Sequence, residues 1–273
     1  MAAFARPPGA GLVNRSRIRS LRLSVGIGLV AGFGGGLVSL GGGTLIIPLL
    51  MGFAELDPLQ ARGTALAVAV ITATVGSAVY AHGGAVDWNV ALWVAVPSMI
   101  IAPIAAYASE RLPRDELRAV FGLVVAAGGV LLILRDLWGV HGFVHGWEHS
   151  YLLLVGVLEG LVAGVVGVSG GPVLAPLFVF GLGMPQQLAQ GCSLAARIPA
   201  TLTSVWENWR LGNIVTPLLL GLVPGAIVGA VLGGRLALVM PAHALRTVFG
   251  GFLIVLGLHY LRSIARLLPG RRR

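Results

Sequence analysis

Two short glycine-rich stretches carry the residue types that could bind an anion. They consist of Gly41, Gly42, Gly43 and Thr44 in the first half of the chain, and of Ser169, Gly170 and Gly171 in the second. An apolar run follows each cluster. A helix that begins there presents backbone N–H groups without intrahelical partners and the positive end of its dipole. Glycine lets the backbone approach a ligand closely, and the two hydroxyls can add donors. The clusters therefore predict helix N-termini that bind a small anion.

Prolines follow both clusters and argue against a packing role alone. Pro172 suits a first helical turn, where its missing N–H costs nothing. Pro48 and Pro176 occupy matching places a little further on. Close helix packing would account for the glycines but does not require these prolines. We therefore give the three prolines a structural role and favour anion binding at the glycines.

The composition indicates an all-α polytopic membrane protein. The chain of 273 residues is 56% hydrophobic and 11% charged, with a mean hydropathy of +0.90. Soluble domains are about 25% charged. The net charge of +9 comes with no lysine, and the 19 Arg side chains cluster near the termini and in short loops. This distribution is typical of membrane topology signals rather than of nucleic-acid binding. The single cysteine excludes an intrachain disulfide.

Glycines and prolines recur at a fixed spacing, which predicts two related halves. Gly43 and Gly171 are 128 positions apart. The same spacing relates further pairs: Gly28 and Gly156, Pro48 and Pro176, Gly63 and Gly191, Arg118 and Arg246. A duplicated unit of four elements is a common plan among secondary transporters.

The first element of each half is either a broken crossing or a re-entrant hairpin. No charged residue occurs from Leu23 to Ala54, a span of 32 positions. A straight helix of that length would measure about 48 Å, against a hydrocarbon core of about 30 Å. Three clean crossings follow in the first half, predicted at Gly63–Ala81, Trp88–Ser109 and Leu117–Leu134.

Counting Arg decides between the two alternatives. With a re-entrant first element, fifteen Arg lie on the cytoplasmic side and three on the other; with a full crossing the division is twelve against six. The stronger bias favours two inverted repeats, each a re-entrant helix followed by three crossings, with about eight apparent transmembrane segments. Both termini are then cytoplasmic and the chain lies in the cytoplasmic membrane.

This plan divides the chain into five segments. They are a basic N-terminal segment (1–22), the first repeat (23–135), an inter-repeat loop (136–150), the second repeat (151–262) and a basic tail (263–273).

Three more side chains could take part in chemistry at the second cluster. Arg197 lies inside a span that Gly191 opens, where a charge is costly and usually functional. It can contact the anion, pair with Glu159, or extend to an interface. Glu159 is the candidate for proton coupling, with a surface glutamate as the alternative. Cys192 can line the path, or it can be a small buried apolar side chain.

The motifs resemble the sulfite exporter TauE/SafE family, also called toluene sulfonate uptake permeases. The run 41–50 (Gly-Gly-Gly-Thr-Leu-Ile-Ile-Pro-Leu-Leu) and the following Ala61-Arg62-Gly63-Thr64 look like the family's first copy. The run from Gly167 through Pro176 is similar to its second copy, and the resemblance covers roughly residues 24–262. It implies proton-coupled transport of small sulfur-containing or organic anions such as sulfite, sulfonates or sulfoacetate, without specifying which.

The partners expected on this interpretation are the lipid bilayer and a small anion. No cofactor, metal, nucleic acid or enzymatic activity is expected, and a homodimer stays open.

Other functions remain as alternatives. The sequence Gly167-Val168-Ser169-Gly170 matches the G-x-S-G motif of rhomboid intramembrane proteases, with His259 as a base in a later span. The counterpart of Ser169 in the first half is Gly41, so the duplication already explains the motif. An anion channel and a structural membrane subunit are the remaining candidates.

Overall fold

The structure is a computed structural model that describes residues 21–39, 43–109, 114–138, 142, 144, 146–166 and 171–265. All regular secondary structure in these ranges is helical, which confirms the all-α class. The helices are α1 (Leu21–Leu37), α2 (Gly43–Phe53), α3 (Pro58–His82), α4 (Trp88–Ser109), α5 (Arg114–Trp138), α6 (Glu148–Val166), α7 (Gly171–Gly181), α8 (Gln186–Ala196), α9 (Ile198–Arg210), α10 (Thr216–Val239) and α11 (Ala242–Ala265).

The helices have the lengths and compositions of membrane spans. In the described part of the chain, α3, α4, α6, α10 and α11 are long and apolar enough to cross a bilayer. Three shorter apolar helices are α1, α7 and the Ala119–Arg135 part of α5. The chain is therefore a multi-pass membrane protein, as its composition predicts. The predicted domain boundaries stay predictions, and the segment before Leu21 and the tail after Ala265 lie outside the described residues.

Side-chain caps begin the helices α3 and α4. The carboxylate of Asp57 accepts hydrogen bonds from the N–H groups of Leu59 and Gln60, at 2.9 and 3.1 Å. Asp87 does the same for α4, where Asn89 and Val90 donate. These bonds satisfy helix-terminal donors that no intrahelical carbonyl can reach. The crossing helices therefore start at defined residues.

Glycines let α1 pack backbone to backbone against α10. A Cβ on Gly28 would lie 2.2 Å from the carbonyl oxygen of Leu222, and one on Gly36 would lie 2.5 Å from that of Ala230. Small residues allow this approach where lipid supplies no hydrophobic force between helices. At successive contacts the residue numbers increase in the same direction along both helices, so α1 and α10 run parallel.

The other large helix contacts follow the same principle. A Cβ on Gly156 of α6 would meet the Val94 carbonyl oxygen of α4 at 2.5 Å, and one on Gly164 would meet that of Ala102 at 2.3 Å. These two helices also run parallel. The helices α5 and α11 are antiparallel instead: Gly122 lies against Gly257, whereas Gly129 lies against Gly250.

Helix starts recur at the spacing found in the sequence. Four helices of the second half begin 128 residues after a helix of the first: α7 after α2, α8 after α3, α10 after α4 and α11 after α5. The contacts are reciprocal as well, because the first helix of each half packs against a late helix of the other, α1 on α10 and α6 on α4. The inversion of the halves relative to the membrane stays a prediction.

The helical segment formed by α8 and α9 is broken in the middle, unlike its counterpart α3. Helix α8 ends at Ala196, Arg197 forms a turn, and α9 begins at Ile198. Pro199 lies in the first turn of α9, where it cannot donate to the preceding turn. The matching position of α3 is Ile71, and α3 is continuous there. The break therefore follows from one proline.

The three spans predicted in the first half each correspond to one helix. The span Trp88–Ser109 coincides with α4, and the span Leu117–Leu134 lies inside α5. The span Gly63–Ala81 lies inside α3, which begins five residues earlier at Pro58. In the second half, α8 likewise begins at Gln186, five residues before the predicted start at Gly191. Proline directly precedes or opens both helices, which is a common start signal.

We predict that enlarging a glycine between α1 and α10 destabilises the protein. A Cβ on Gly32 would lie 2.3 Å from the carbonyl oxygen of Ala226, so a Gly32→Val substitution must force the two backbones apart. We expect it to lower the free energy of unfolding by about 1–3 kcal/mol or more. Gly26→Val on the same helix is the control, since a Cβ there meets nothing within 4 Å. Thermal unfolding in detergent measures both; equal melting temperatures would contradict the assigned contact.

Candidate functional site

Arg197 is the centre of the candidate site. It lies between the 11 residues of α8 and the 13 residues of α9, hence near the middle of this broken helical segment, and its side chain is only 1% exposed. Its guanidinium rests against the first residue of α7, because a Cβ on Gly171 would lie 2.2 Å from Nη1 of Arg197. The positive charge of Arg197 therefore lies directly at the N-terminus of α7.

The end of α1 reaches this place from the first half. The same Cβ on Gly171 would lie 2.9 Å from the backbone carbonyl oxygen of Ser39. Ser39 forms the bend after α1 with a φ of 47°, a conformation that few non-glycine residues adopt. Its side chain is fully buried, and among the described residues its hydroxyl has no hydrogen-bond partner. The bend after α1 and the first residue of α7 thus meet at Arg197.

Glu159 supplies the acidic group of the site. It lies on α6, is 1% exposed, and accepts a hydrogen bond from the hydroxyl of the fully buried Ser98 on α4. The Arg197 and Glu159 charges interact electrostatically. The equivalent positions of the other helix pair, 128 residues away, hold Ala31 on α1 and Ala226 on α10, and both are fully buried. The polar pair therefore occurs at the contact of α6 with α4 and not at the contact of α1 with α10.

The groups that meet here can bind an anion. The Arg197 cation lies at the positive end of the α7 dipole, Glu159 interacts with it electrostatically, and the carbonyl end of α1 lies close by. A negative ligand at this place can accept from the guanidinium and from backbone N–H groups together.

The structure locates only part of the predicted glycine clusters. Gly171 and Gly43 are the first residues of α7 and α2, so both clusters end where a helix begins, as predicted. Thr44 lies in the first turn of α2. Four predicted residues lie outside the described part of the chain: Gly41, Gly42, Ser169 and Gly170. Their role in binding stays a prediction.

The prolines lie inside or at the start of the short helices. Pro172 is the second residue of α7 and is buried, as the first-turn interpretation requires. Pro176 lies inside α7 and is buried, and Pro48 lies inside α2 and is exposed. In a helix interior, each of these two frees the carbonyl four residues earlier. The freed carbonyls belong to the first turns of α2 and α7.

Cys192 lies away from the Arg197 side of α8. Its sulfur accepts from the backbone N–H of Asp87 at 3.2 Å, and its side chain is fully buried. The equivalent Thr64 oxygen accepts from the N–H of Val215 at 3.0 Å. Both side chains therefore hold the connection in front of a helix of the other half, which is a structural role.

Sequence analysis missed several polar residues near the site. Ser39 and Ser98 gave no signal, since each is brought to the site by contacts between distant helices. The other missed side chains are Tyr80, Gln186, Gln190 and Ser193, of which three lie on α8 with helical spacing. Polar residues at helical spacing in an otherwise apolar region indicate a polar helix face, and this pattern is visible in the sequence.

The protease alternative finds no support in the described residues. His259 is exposed on α11, whereas Gly171, two residues after Ser169, is buried against Arg197. A serine nucleophile needs a base within hydrogen-bond reach. In the part of the chain with defined side chains, no group of three or more His, Cys, Asp or Glu could hold a metal ion.

Broken helices beside a buried site recur among membrane transporters. A family model described as "Sulfite exporter TauE/SafE" matches residues 1–132 and 152–273, and the chain belongs to this family. The resemblance seen in the glycine and proline motifs is thereby confirmed.

Relatives carry the same general assignment. The chain is 30% identical over 261 residues to a "Probable membrane transporter protein" of Xylella fastidiosa (strain 9a5c), covering 92% of this chain and 98% of the relative. It is 26% identical over 262 residues to "Probable membrane transporter protein YunE" of Bacillus subtilis, covering 87% and 96%. A "Probable membrane transporter protein" of Haemophilus influenzae is 26% identical over 255 residues, covering 85% and 95%. No solved structure matches the chain. The protein is a membrane transporter.

We predict that a methyl group on Gly171 disturbs the packing around Arg197. In Gly171→Ala the new Cβ would lie 2.2 Å from Nη1 of Arg197 and 2.9 Å from the backbone carbonyl oxygen of Ser39, so the guanidinium and the bend after α1 must both shift. The melting temperature in detergent should therefore fall below that of the wild type. Gly52→Ala on α2 is the control, because a Cβ there meets nothing within 4 Å. Equal melting temperatures for the two variants would show that Gly171 does not pack against Arg197 as assigned.

Proposed function

We propose that the protein is a secondary transporter of small oxyanions, of the sulfite, sulfonate or related organosulfur and organic class. The observation that carries this proposal is the contact between the buried Arg197 guanidinium and the N-terminus of α7. An oxyanion in the membrane must exchange its hydration for fixed donors. A guanidinium offers a planar fork for two oxygens, and a helix N-terminus offers backbone N–H groups. The family's description supports the choice of sulfur oxyanions.

The proposed substrate site lies where the two halves meet. The bend after α1, the start of α7 and the break between α8 and α9 converge on one buried position. The glycines at 41–43 and 169–171 would complete the cradle with backbone donors. Discontinuous helices that face each other near the midplane are a recurring way to bind a substrate in transporters.

The directions of the helices support a re-entrant first element in each half. Since α1 runs parallel to α10, and α6 parallel to α4, each first helix starts on the same side as its partner. With α3, α4, α5, the pair α8–α9, α10 and α11 each crossing once, and with α5 antiparallel to α11, α6 and α8 start on the same side. Helix α7, with only 11 residues, then returns to that side. The same reasoning applies to α1, α2 and α3, so the two halves are inverted.

This arrangement places both termini on one side of the membrane. The excess of Arg on that side supports its assignment to the cytoplasm. The location that fits is the cytoplasmic membrane. Transport rather than catalysis is the proposed activity.

We further propose that Glu159 couples transport to the proton gradient. Its carboxylate is buried beside Ser98 and interacts with the Arg197 charge. Because an anion and the carboxylate compete for the same cation, arrival of the substrate favours protonation of Glu159. Proton and anion would therefore move together.

The enclosure of the site favours alternating access over a channel. The residues from Ala189 to Ala196 are all buried, and so is Arg197. A channel would need a continuous open path, whereas a carrier holds its substrate in a closed site and opens to one side at a time.

Arg197→Gln should abolish anion transport in a folded protein. Purified protein in liposomes should move sulfite or a sulfonate, and removal of the guanidinium charge should reduce the flux at least about tenfold. Arg197→Lys keeps the charge without the planar fork and should retain part of it. Arg210→Gln, at an exposed arginine of α9, is the matched control. Unchanged flux in Arg197→Gln, or no movement of any anion by the wild type, would refute the proposal.

Glu159→Gln should separate transport from the proton gradient. The variant should still exchange labelled for unlabelled anion at equal pH, because the Arg197 site is intact. It should lose the accumulation that a pH difference across the liposome membrane drives in the wild type. Glu207→Gln, an exposed acid on α9, serves as the comparison. Accumulation that persists in Glu159→Gln would exclude this residue as the coupling group.

A further inference from the structure

A row of buried polar side chains leads along α8 to Arg197. Gln186, Gln190 and Ser193, here called the α8 row, are each at most 1% exposed. With Arg197 they follow one another at spacings of four, three and four residues. At 3.6 residues per turn, these positions lie within about 60° of one another around a helix. They therefore share one face of α8 with the candidate site at its end.

The α8 row offers donors that nothing in the described residues uses. Both polar atoms of the Gln186 side chain, Nε2 of Gln190 and Oγ of Ser193 are buried and have no hydrogen-bond partner among those residues. Leaving a buried polar group unpaired is costly, and in native proteins such groups call for a ligand or another explanation. Three side chains that carry such groups on one helix face indicate a common ligand.

Gln190 is held in position by Tyr80. The Tyr80 hydroxyl donates to Oε1 of Gln190 at 2.7 Å, and it lies 3.1 Å from the carbonyl oxygen of Gly36. This contact fixes one end of the amide on α3. The NH₂ group is the end that is left over, and it is a donor suited to an anion's oxygen.

The fold alone does not require amide or hydroxyl groups at these positions. The equivalent positions of α3 hold Pro58, Arg62 and Ala65, which differ from the α8 row in all three places. The row therefore belongs to the same half of the chain as Arg197 and Glu159.

The outer end of the α8 row is closed in this structure. The Arg135 guanidinium of α5 donates to the carbonyl oxygens of Gly183 and Met184, both at 3.4 Å. Gln187 donates to the carbonyl oxygen of Met240 at 2.8 Å. These bonds join the connection before α8 to α5 and to the connection between α10 and α11. The row thus runs from a closed end to the buried cation.

We propose that the α8 row is the path by which the transported oxyanion passes between the α7–α8 connection and Arg197. This inference rests on the proposed function. Steps of three or four residues are about 4.5–6 Å along a helix, so an oxyanion can contact the next donor before it leaves the last one. Neutral donors suit such a path, because each binding position must be favourable enough to enter and weak enough to leave.

The first test measures sulfite flux of the full chain in liposomes. Gln190→Leu and Ser193→Ala should each raise the sulfite concentration for half-maximal flux by about tenfold, since each removes one donor to a charged ligand. Ser77→Ala is the matched control, because the buried Ser77 hydroxyl is already bonded to the Thr74 carbonyl at 3.0 Å. Tyr80→Phe should have a smaller effect than Gln190→Leu. An equal effect would mean that Gln190 only anchors α3, which would overturn its place in the path.

The second test does not depend on flux. Ser193→Cys is placed in a Cys192→Thr background, in which threonine reproduces the residue at the equivalent position, Thr64. We expect an anionic methanethiosulfonate reagent to label the new thiol faster than a cationic one of similar size, by about tenfold, and sulfite to slow the labelling. Equal rates for both reagents would indicate a water-filled path without preference for anions, and no labelling would indicate a sealed helix face; both results overturn the inference.

The two proposals fail in different ways. If the wild type moves none of the sulfite and sulfonate panel, the proposed function fails. If it moves sulfite while all α8-row variants match the wild type in flux and the labelling shows no preference for anions, the path alone is refuted.

Discussion

The burial of one positive charge is the constraint on which the rest of the site depends. Arg197 is fully enclosed at the break between α8 and α9, where a buried cation is energetically costly. Two features offset part of this cost: Glu159 supplies the opposite charge, and Pro199 breaks the helix so that the side chain lies at a turn. The guanidinium lies against the N-terminus of α7, whose first residue, Gly171, has no side chain that would occupy this position.

Glycine contacts bring the helix pairs of the scaffold together, alongside its clusters of buried apolar side chains. Helix α1 lies against α10, and α6 lies against α4, with backbones too close for any side chain between them. The two contacts are equivalent in geometry but differ in chemistry. Where one holds Ala31 and Ala226, the other holds Glu159 and Ser98. The same kind of helix contact therefore carries a polar pair in one place and only apolar side chains in the other.

Most of the architecture could be predicted from the sequence, because the features that indicate it are local or periodic. The hydropathy, the spacing of 128 and the position of the glycine clusters predicted the helical class and the starts of α2 and α7, and Arg197 stood out as a charge within a span. The starts of α3 and α8 were misplaced by five residues, since apolar periodicity says little about where a helix ends. Ser98 and Ser39 could not be found, because only the contacts between α4 and α6, and between α1 and α7, bring them to the site. Gln186, Gln190 and Ser193 were visible as a pattern but are common residue types at helix ends.

The parallel pairing of α1 with α10 has a consequence for biosynthesis. Helix α1 ends at Leu37 and α10 begins at Thr216, so the ribosome must add almost the whole intervening chain before the partner of α1 exists. At 5–20 residues per second this interval is roughly 10–40 s. During that time the glycine face of α1 is in the membrane without the surface that it fits. Neither half can therefore reach its final structure alone, and the protein matures only when its second half has been inserted.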